Sequence, residues 1–219
     1  MVSDRRAQIG RRLGALALTL LAASPVHAAV ERPHALAFKL GYHVYPTSSY
    51  LQFSEEAGLG GVNEFRGQSL EVLDYTYQWT PRWGVNVSLF NGYFRKYTPL
   101  ENVQHSILTT YATVTPVYTI WGARRPESWL VYAGAGVGRY GLVLRFDIRG
   151  TTDEIASYTL GYHTLIGVEY QYSEQVGFVI EEKYARARVK FGREVGGAFR
   201  DTQIDLGGHN VLVGVRVHF

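Results

Sequence analysis

The residues best placed to do chemistry in this chain are charged or polar ones set among apolar neighbours. Lys39, Asp74, Gln78, Glu169, Glu181, Lys183 and Arg216 each fall in a stretch where apolar and polar residues alternate. Their parity mostly puts them on the face opposite the apolar row. Both signs are represented, so if that face is enclosed the charges should pair with one another and form a polar plug.

Other candidate chemistry is weaker. Gly136, Gly138 and Gly141 match the spacing of a dinucleotide fingerprint. That motif works between a strand and a helix of a βαβ unit, and no helical pattern follows here. Gly134, Gly136 and Gly138 read instead as small residues on one strand face, making room for large side chains from the opposite wall. His43, His105, His163, His209 and His218 are candidate bases for a hydrolase. Catalysis needs a nucleophile, a base and an orienting group within hydrogen-bond reach, and the sequence sets none of these together. No two histidines share ligand spacing on one face, and cysteine is absent, so neither a metal site nor a disulfide is expected. The expectation is a protein without enzymatic activity, metal or cofactor.

The elements that must position these residues are strands. Val211, Val213, Val215, Val217 and Phe219 form an apolar row at the C-terminus, alternating with Leu212, Gly214, Arg216 and His218. Upstream, the same period of two runs through Leu36–Tyr45, Ser69–Trp79, Trp83–Tyr97, Ile107–Trp121, Trp129–Arg145, Tyr158–Tyr172 and Val176–Phe191. Asn91 and Gly92 blur the third strand and invite a bulge there. Pro116 demands a local break in hydrogen bonding. Glu182 falls on the face opposite Glu181 and Lys183, beside Phe178 and Ile180, and the sequence leaves its direction open.

The connections alternate in length. Thr80–Arg82, Gly122–Glu127 and Ser173–Gln175 are short. Pro46–Gly67 (with Tyr50, Leu51, Phe53 and Phe65), Thr98–His105, Asp147–Ala156 and Gly192–Gln203 are longer, polar stretches. Short turns at one end and longer loops at the other are the asymmetry of an outer-membrane barrel. Trp79, Trp83, Trp121, Trp129 and Tyr172 cluster at the short-turn end, as an interfacial girdle would.

The N-terminus is expected to be removed. Arg5, Arg6, Arg11 and Arg12 precede an apolar run, Leu13–Ala23, too short to span a bilayer, and Val26-His27-Ala28 fits a cleavage site. Residues 1–28 then form a signal peptide and residues 29–219 a single domain. The formal charge of +3 rests on 22 Lys and Arg against 19 Asp and Glu. Removing four arginines and Asp4 brings it to zero, which leaves no basic surface for nucleic acid.

Together these features predict an all-β chain: an eight-stranded antiparallel up-and-down transmembrane β-barrel in the bacterial outer membrane, in contact with its lipid and lipopolysaccharide. The segment VTPVYTIWGARRPESWLVYAGAGVGRY (Val114–Tyr140), with LGYHTLIGVEYQY and the closing GGHNVLVGVRVHF, resembles the small outer-membrane β-barrel family of OmpW-like and opacity-type proteins. That resemblance implies an integral barrel without catalysis, some members being proposed to pass or bind small apolar molecules. It also implies that the terminal aromatic, here Phe219, is the signal read by the barrel-assembly machinery. Two alternatives stay open: an adhesin-like barrel acting through its external loops, and a lipid A-modifying enzyme. Against the latter, the His-x-Ser spacing of lipid A deacylases is absent, since His105 is followed directly by Ser106.

Overall fold

The computed structural model describes residues 30–44, 66–98, 103–148, 151–190 and 203–219. The expected signal peptide, and the first loop up to Phe65, lie outside them. Ten strands follow in chain order: β1 His34–Val44, β2 Arg66–Gln78, β3 Trp83–Thr98, β4 Val103–Gly122, β5 Ser128–Ile148, β6 Thr151–Gln171, β7 Val176–Arg186, β8 Arg188–Lys190, β9 Gln203–Asp205 and β10 Gly208–His218. Eight of them close a barrel in the order β1-β10-β7-β6-β5-β4-β3-β2, every neighbour antiparallel. β8 and β9 pair as a separate two-stranded ribbon.

Alternation dictates which way each side chain points. In β7 the pattern from Gly177 to Arg186 is strictly buried then exposed, and β1 and β10 keep nearly the same rhythm. The exposed row is the apolar one: Leu36, Phe38 and Leu40 on β1, and Val211, Val213, Val215 and Val217 on β10, are all about half exposed. The buried row carries Lys39, Asp74, Glu169, Glu181 and Arg216. This is the inverse of a water-soluble barrel, whose apolar face lies inside. Tyr77, Trp79, Trp83, Trp121, Trp129, Tyr172 and Phe219 ring the short-turn end on the outside. Tyr42, Tyr93, Tyr158, Tyr162 and Tyr184 are exposed toward the other end. Two aromatic rows flanking an aliphatic band are what a bilayer selects.

The seam between first and last strands is in continuous register from Ala35↔His218 to Val44↔His209. Phe219 finishes it: its N–H donates to the His34 carbonyl at 2.9 Å, and its own carbonyl accepts from His34 N–H at 3.2 Å. The Phe219 and His34 rings stack at 5.7 Å.

Several element boundaries differ from the sequence reading. β3 pairs with β4 without interruption through Asn91 and Gly92, so the expected bulge is not there. It lies on β2, where the registers to β1 and β3 both slip around Val72. Phe90 and Gly92 keep their inward parity as a result. The ladder from β4 to β5 does skip Thr115 and Pro116 and then resumes in the same register. Asp147–Ala156 is not a loop: β5 and β6 stay paired to Ile148↔Thr151. Val103–His105, also expected in a loop, is paired strand. Polarity misled there, because a strand that rises beyond the bilayer needs no apolar face. The expected seventh strand is interrupted at Ala187, whose carbonyl accepts from Leu206 N–H at 2.8 Å, before Arg188–Lys190 resumes as β8.

Strand length is uneven. β1, β7 and β10 are 11 residues long, close to the ~9–11 needed to cross a bilayer. β4, β5 and β6 have 20, 21 and 21 residues. All three meet tight connections at the short-turn end, so their surplus projects from the opposite end as a raised wall.

Candidate functional site

The interior of an eight-stranded barrel is just wide enough to be filled by its own side chains. Here the middle layer is ionic. Lys39 Nζ donates to Asp74 Oδ2 at 2.7 Å and to Glu181 Oε1 at 2.9 Å, bridging β1 to β2 and reaching β7. Lys183 Nζ lies 3.3 Å from the same Glu181 oxygen and donates to Ser88 Oγ at 3.1 Å. Arg216 Nη1 donates to Glu169 Oε2 at 2.7 Å, and its Nη2 lies 3.6 Å from Asp74 Oδ1. His218 Nε2 sits 2.6 Å from the other Glu169 oxygen. Lys39, Lys183 and Arg216 therefore meet Asp74, Glu169 and Glu181 in one connected, charge-balanced group. Of the seven polar residues singled out in the sequence, six join it. Gln78 lies nearer the turns and lines two cavities.

Tyr132 is the residue sequence reasoning missed. Its hydroxyl donates to Glu181 Oε2 at 2.8 Å and accepts from Arg216 Nη2 at 3.2 Å, tying the two halves of the network. Its ring has room because it lies over Gly167, its direct partner on β6: a Cβ there would fall 2.7 Å from Tyr132 Cε2. The parity of β5 carried the signal, since Tyr132 shares a face with Gly134, Gly136 and Gly138.

The layer above is aromatic and histidine-rich. Phe90 and Tyr111 stack at 4.7 Å with planes 4° apart, and Tyr140 packs on Tyr111 at 4.6 Å. The Tyr140 hydroxyl is 3.1 Å from His163 Nδ1, and the far nitrogen of that ring is 2.6 Å from Thr115 Oγ1. The three β5 glycines do face inward, but their nearest neighbours belong to adjacent strands rather than to the opposite wall. A Cβ on Gly136 would meet His163 Cε1 at 2.9 Å, and one on Gly134 would meet Thr115 Cγ2 at 2.9 Å. A cavity of about 20 Å³ remains in this layer, and one of about 10 Å³ lies beneath the ionic layer.

The wall is apolar outside and charged inside, closed at eight strands, and belted by aromatics at both ends. Residues 13–219 match the outer membrane protein beta-barrel domain family. The chain belongs to that family. Like its other members, this outer-membrane barrel resides in the bacterial outer membrane, and in such barrels the short turns generally face the periplasm and the longer connections the outside. Among solved structures it is similar to Neisserial surface protein A, at 17% identity and a TM-score of 0.55, over 85% of this chain and 96% of that one. It is also similar to Ail, the attachment invasion locus protein of Yersinia pestis, in complex with the heparin analogue sucrose octasulfate. The identity is 16% and the TM-score 0.51, over 85% of this chain and 99% of that one. At such identities the likeness is one of fold. No curated protein matches the chain.

Glu182, whose direction the sequence left open, faces outward. Its Oε1 lies 2.8 Å from His209 Nδ1 on β10, and the His209 ring packs on Tyr184 at 4.8 Å. The carboxylate thus sits beside the outer tyrosine row, where lipid headgroups rather than acyl chains surround the barrel.

The other residue missed by the sequence reading is Arg124, in the short turn between β4 and β5. Its side chain folds into the barrel mouth, where Nε and Nη1 are shut from solvent and have no hydrogen-bond partner. Burial pulls its guanidinium down to about 10, against the attraction of Glu169. It remains charged at neutral pH.

Proposed function

We propose that the protein is a closed, non-conducting outer-membrane barrel whose interior is structural and whose exposed outer end is its working surface. The observation that carries this reading is the ionic layer. Lys39, Asp74, Glu169, Glu181 and Arg216 are each at most 3% exposed, and they cross the lumen from β1, β2, β6, β7 and β10. The flanking cavities of about 10 and 20 Å³ hold little more than a water each. A route for small apolar molecules, as some relatives are proposed to provide, would need these layers to part. Planar-bilayer recording tests the proposal. The purified protein should show no steady conductance and no permeation by sugars, and conductance at porin-like levels would overturn it.

A second reading, adhesin-like presentation, is favoured by one specific feature. β4, β5 and β6 are about twice as long as β1, β7 and β10, and hold a paired wall above the outer tyrosine row. Arg145 and Glu154, paired at 2.6 Å, lie on it. A rigid external wall suits contact with a partner, as loops on a scaffold commonly do. Ail, with the same fold, was solved with a heparin analogue bound.

The reading includes no enzymatic activity. Ser88 does contact Lys183, but the cavity beside them has no room for an acyl chain. The partners it includes are outer-membrane lipid, lipopolysaccharide against the outer half of the wall, and the assembly machinery at Phe219.

A further inference from the structure

The periplasmic mouth of the barrel holds a cavity of about 470 Å³, within the range of small-molecule sites. It lies below the ionic layer, between the short turns and the start of β1. Four arginines, Arg32, Arg82, Arg124 and Arg125, line it against two glutamates, Glu31 and Glu174. One of those glutamates is already used, since Arg32 Nη2 binds Glu174 Oε2 at 2.8 Å. Arg82 donates to the Tyr118 hydroxyl, a neutral partner. The cavity is therefore lined with an excess of positive charge.

Arg124 marks the deepest point of that charge. Both oxygens of Glu169, the nearest lumen carboxylate, are taken, one by Arg216 and one by His218. Nε and Nη1 of Arg124 are left buried without a partner, a cost that is relieved if the side chain turns into the cavity and meets a ligand there. A guanidinium wants an oxyanion, which it can hold through two parallel hydrogen bonds.

We propose that the periplasmic mouth is a binding site for a small free oxyanion, of the phosphate or carboxylate class, anchored by Arg124. Binding stops at the mouth, because the cavity directly above Arg124 holds only about 10 Å³. The site is thus a receptor surface on the periplasmic side. It is independent of the closed-barrel reading, since a conducting barrel could carry the same site.

The full chain, folded in a maltoside micelle, can be titrated with inorganic phosphate and with citrate by calorimetry. Wild type should bind at least one of them. Arg124→Gln should weaken binding by about tenfold or more, the worth of one charged hydrogen bond. Arg124→Lys should keep part of it, and Arg188→Gln, on the exposed face of β8 away from the mouth, should leave it unchanged. Arg124 sits in a turn outside the ladders, and a heat-modifiable gel shift confirms that each variant is folded. A third arm uses micelles doped with dihexanoyl phosphatidylglycerol, alongside free glycerol phosphate. Binding of the doped lipid without binding of free phosphate, citrate or glycerol phosphate would mean a lipid headgroup surface and would overturn the proposal. So would a wild type that binds none of the probes, or an Arg124→Gln variant that binds as wild type does.

Discussion

Arg216 shows how much one side chain can hold in a closed lumen. It binds Glu169, approaches Asp74, and lies over the Tyr132 ring with its Cζ 5.1 Å from the centroid. Removing it leaves two buried carboxylates short of a cation, which is costlier than losing the pair altogether. Arg216→Ala should therefore destabilise the barrel by about 3–5 kcal/mol, read as a lower guanidinium midpoint in micelles. Adding Glu169→Gln should recover part of the loss, and a double variant no more stable than the single one would contradict the network. At this scale the sequence told which residues were inside but not which would meet. Parity placed Lys39, Asp74, Glu169, Glu181, Lys183 and Arg216 correctly because alternation is a local property. Tyr132 and Arg124 escaped for different reasons. The residue type of a tyrosine is the same signal whether it faces lipid or lumen, and only its parity with the β5 glycines points Tyr132 inward. A turn residue has no parity at all, so nothing local shows Arg124 folding back into the mouth.

Among the elements, β7 and β10 pose the sharpest contrast between the two faces. Glu181 and Glu182 are neighbours in sequence, yet one is buried against Lys39 and the other is exposed beside His209. Exposed pairs contribute little, so the two carboxylates should respond unequally to substitution. Glu182→Leu should leave the unfolding midpoint nearly unchanged, whereas Glu181→Leu should lower it steeply. Equal losses at both positions would mean that Glu182 is not at the interface. The end of β10 carries a second expectation. Phe219 closes the seam through two backbone hydrogen bonds and a stack on His34, besides the assembly role proposed for it. Deleting it should lower the amount of heat-modifiable protein in the outer membrane. Phe219→Ala keeps the seam's backbone bonds, so a comparable loss of yield there would assign the effect to the aromatic ring. Element ends were the least legible feature in sequence. The bulge at Val72 and the paired polar stretch Asp147–Ala156 depend on a partner strand, and a partner is not visible in a single strand's composition.

For the molecule as a whole, the two ends of the barrel are physically unlike, and that difference fixes orientation. The short turns Trp79–Arg82, Ala123–Glu127 and Tyr172–Gln175 share an end with the seam at His34 and Phe219. The opposite end carries the raised wall of β4, β5 and β6. In outer-membrane barrels the short turns are periplasmic, because the chain enters from that side and the longer connections are carried across. An epitope tag inserted between Ile148 of β5 and Thr151 of β6 should then be labelled by antibody on intact cells. A tag within Ser173–Gln175 should be labelled only after the outer membrane is opened. The two sites test one another, since each lies between consecutive paired strands and they differ in which end they mark. Labelling of the Ser173–Gln175 tag on intact cells would invert the molecule. The arginine-lined mouth would then face the medium and the raised wall the periplasm, and a surface-presentation role for that wall would have no basis.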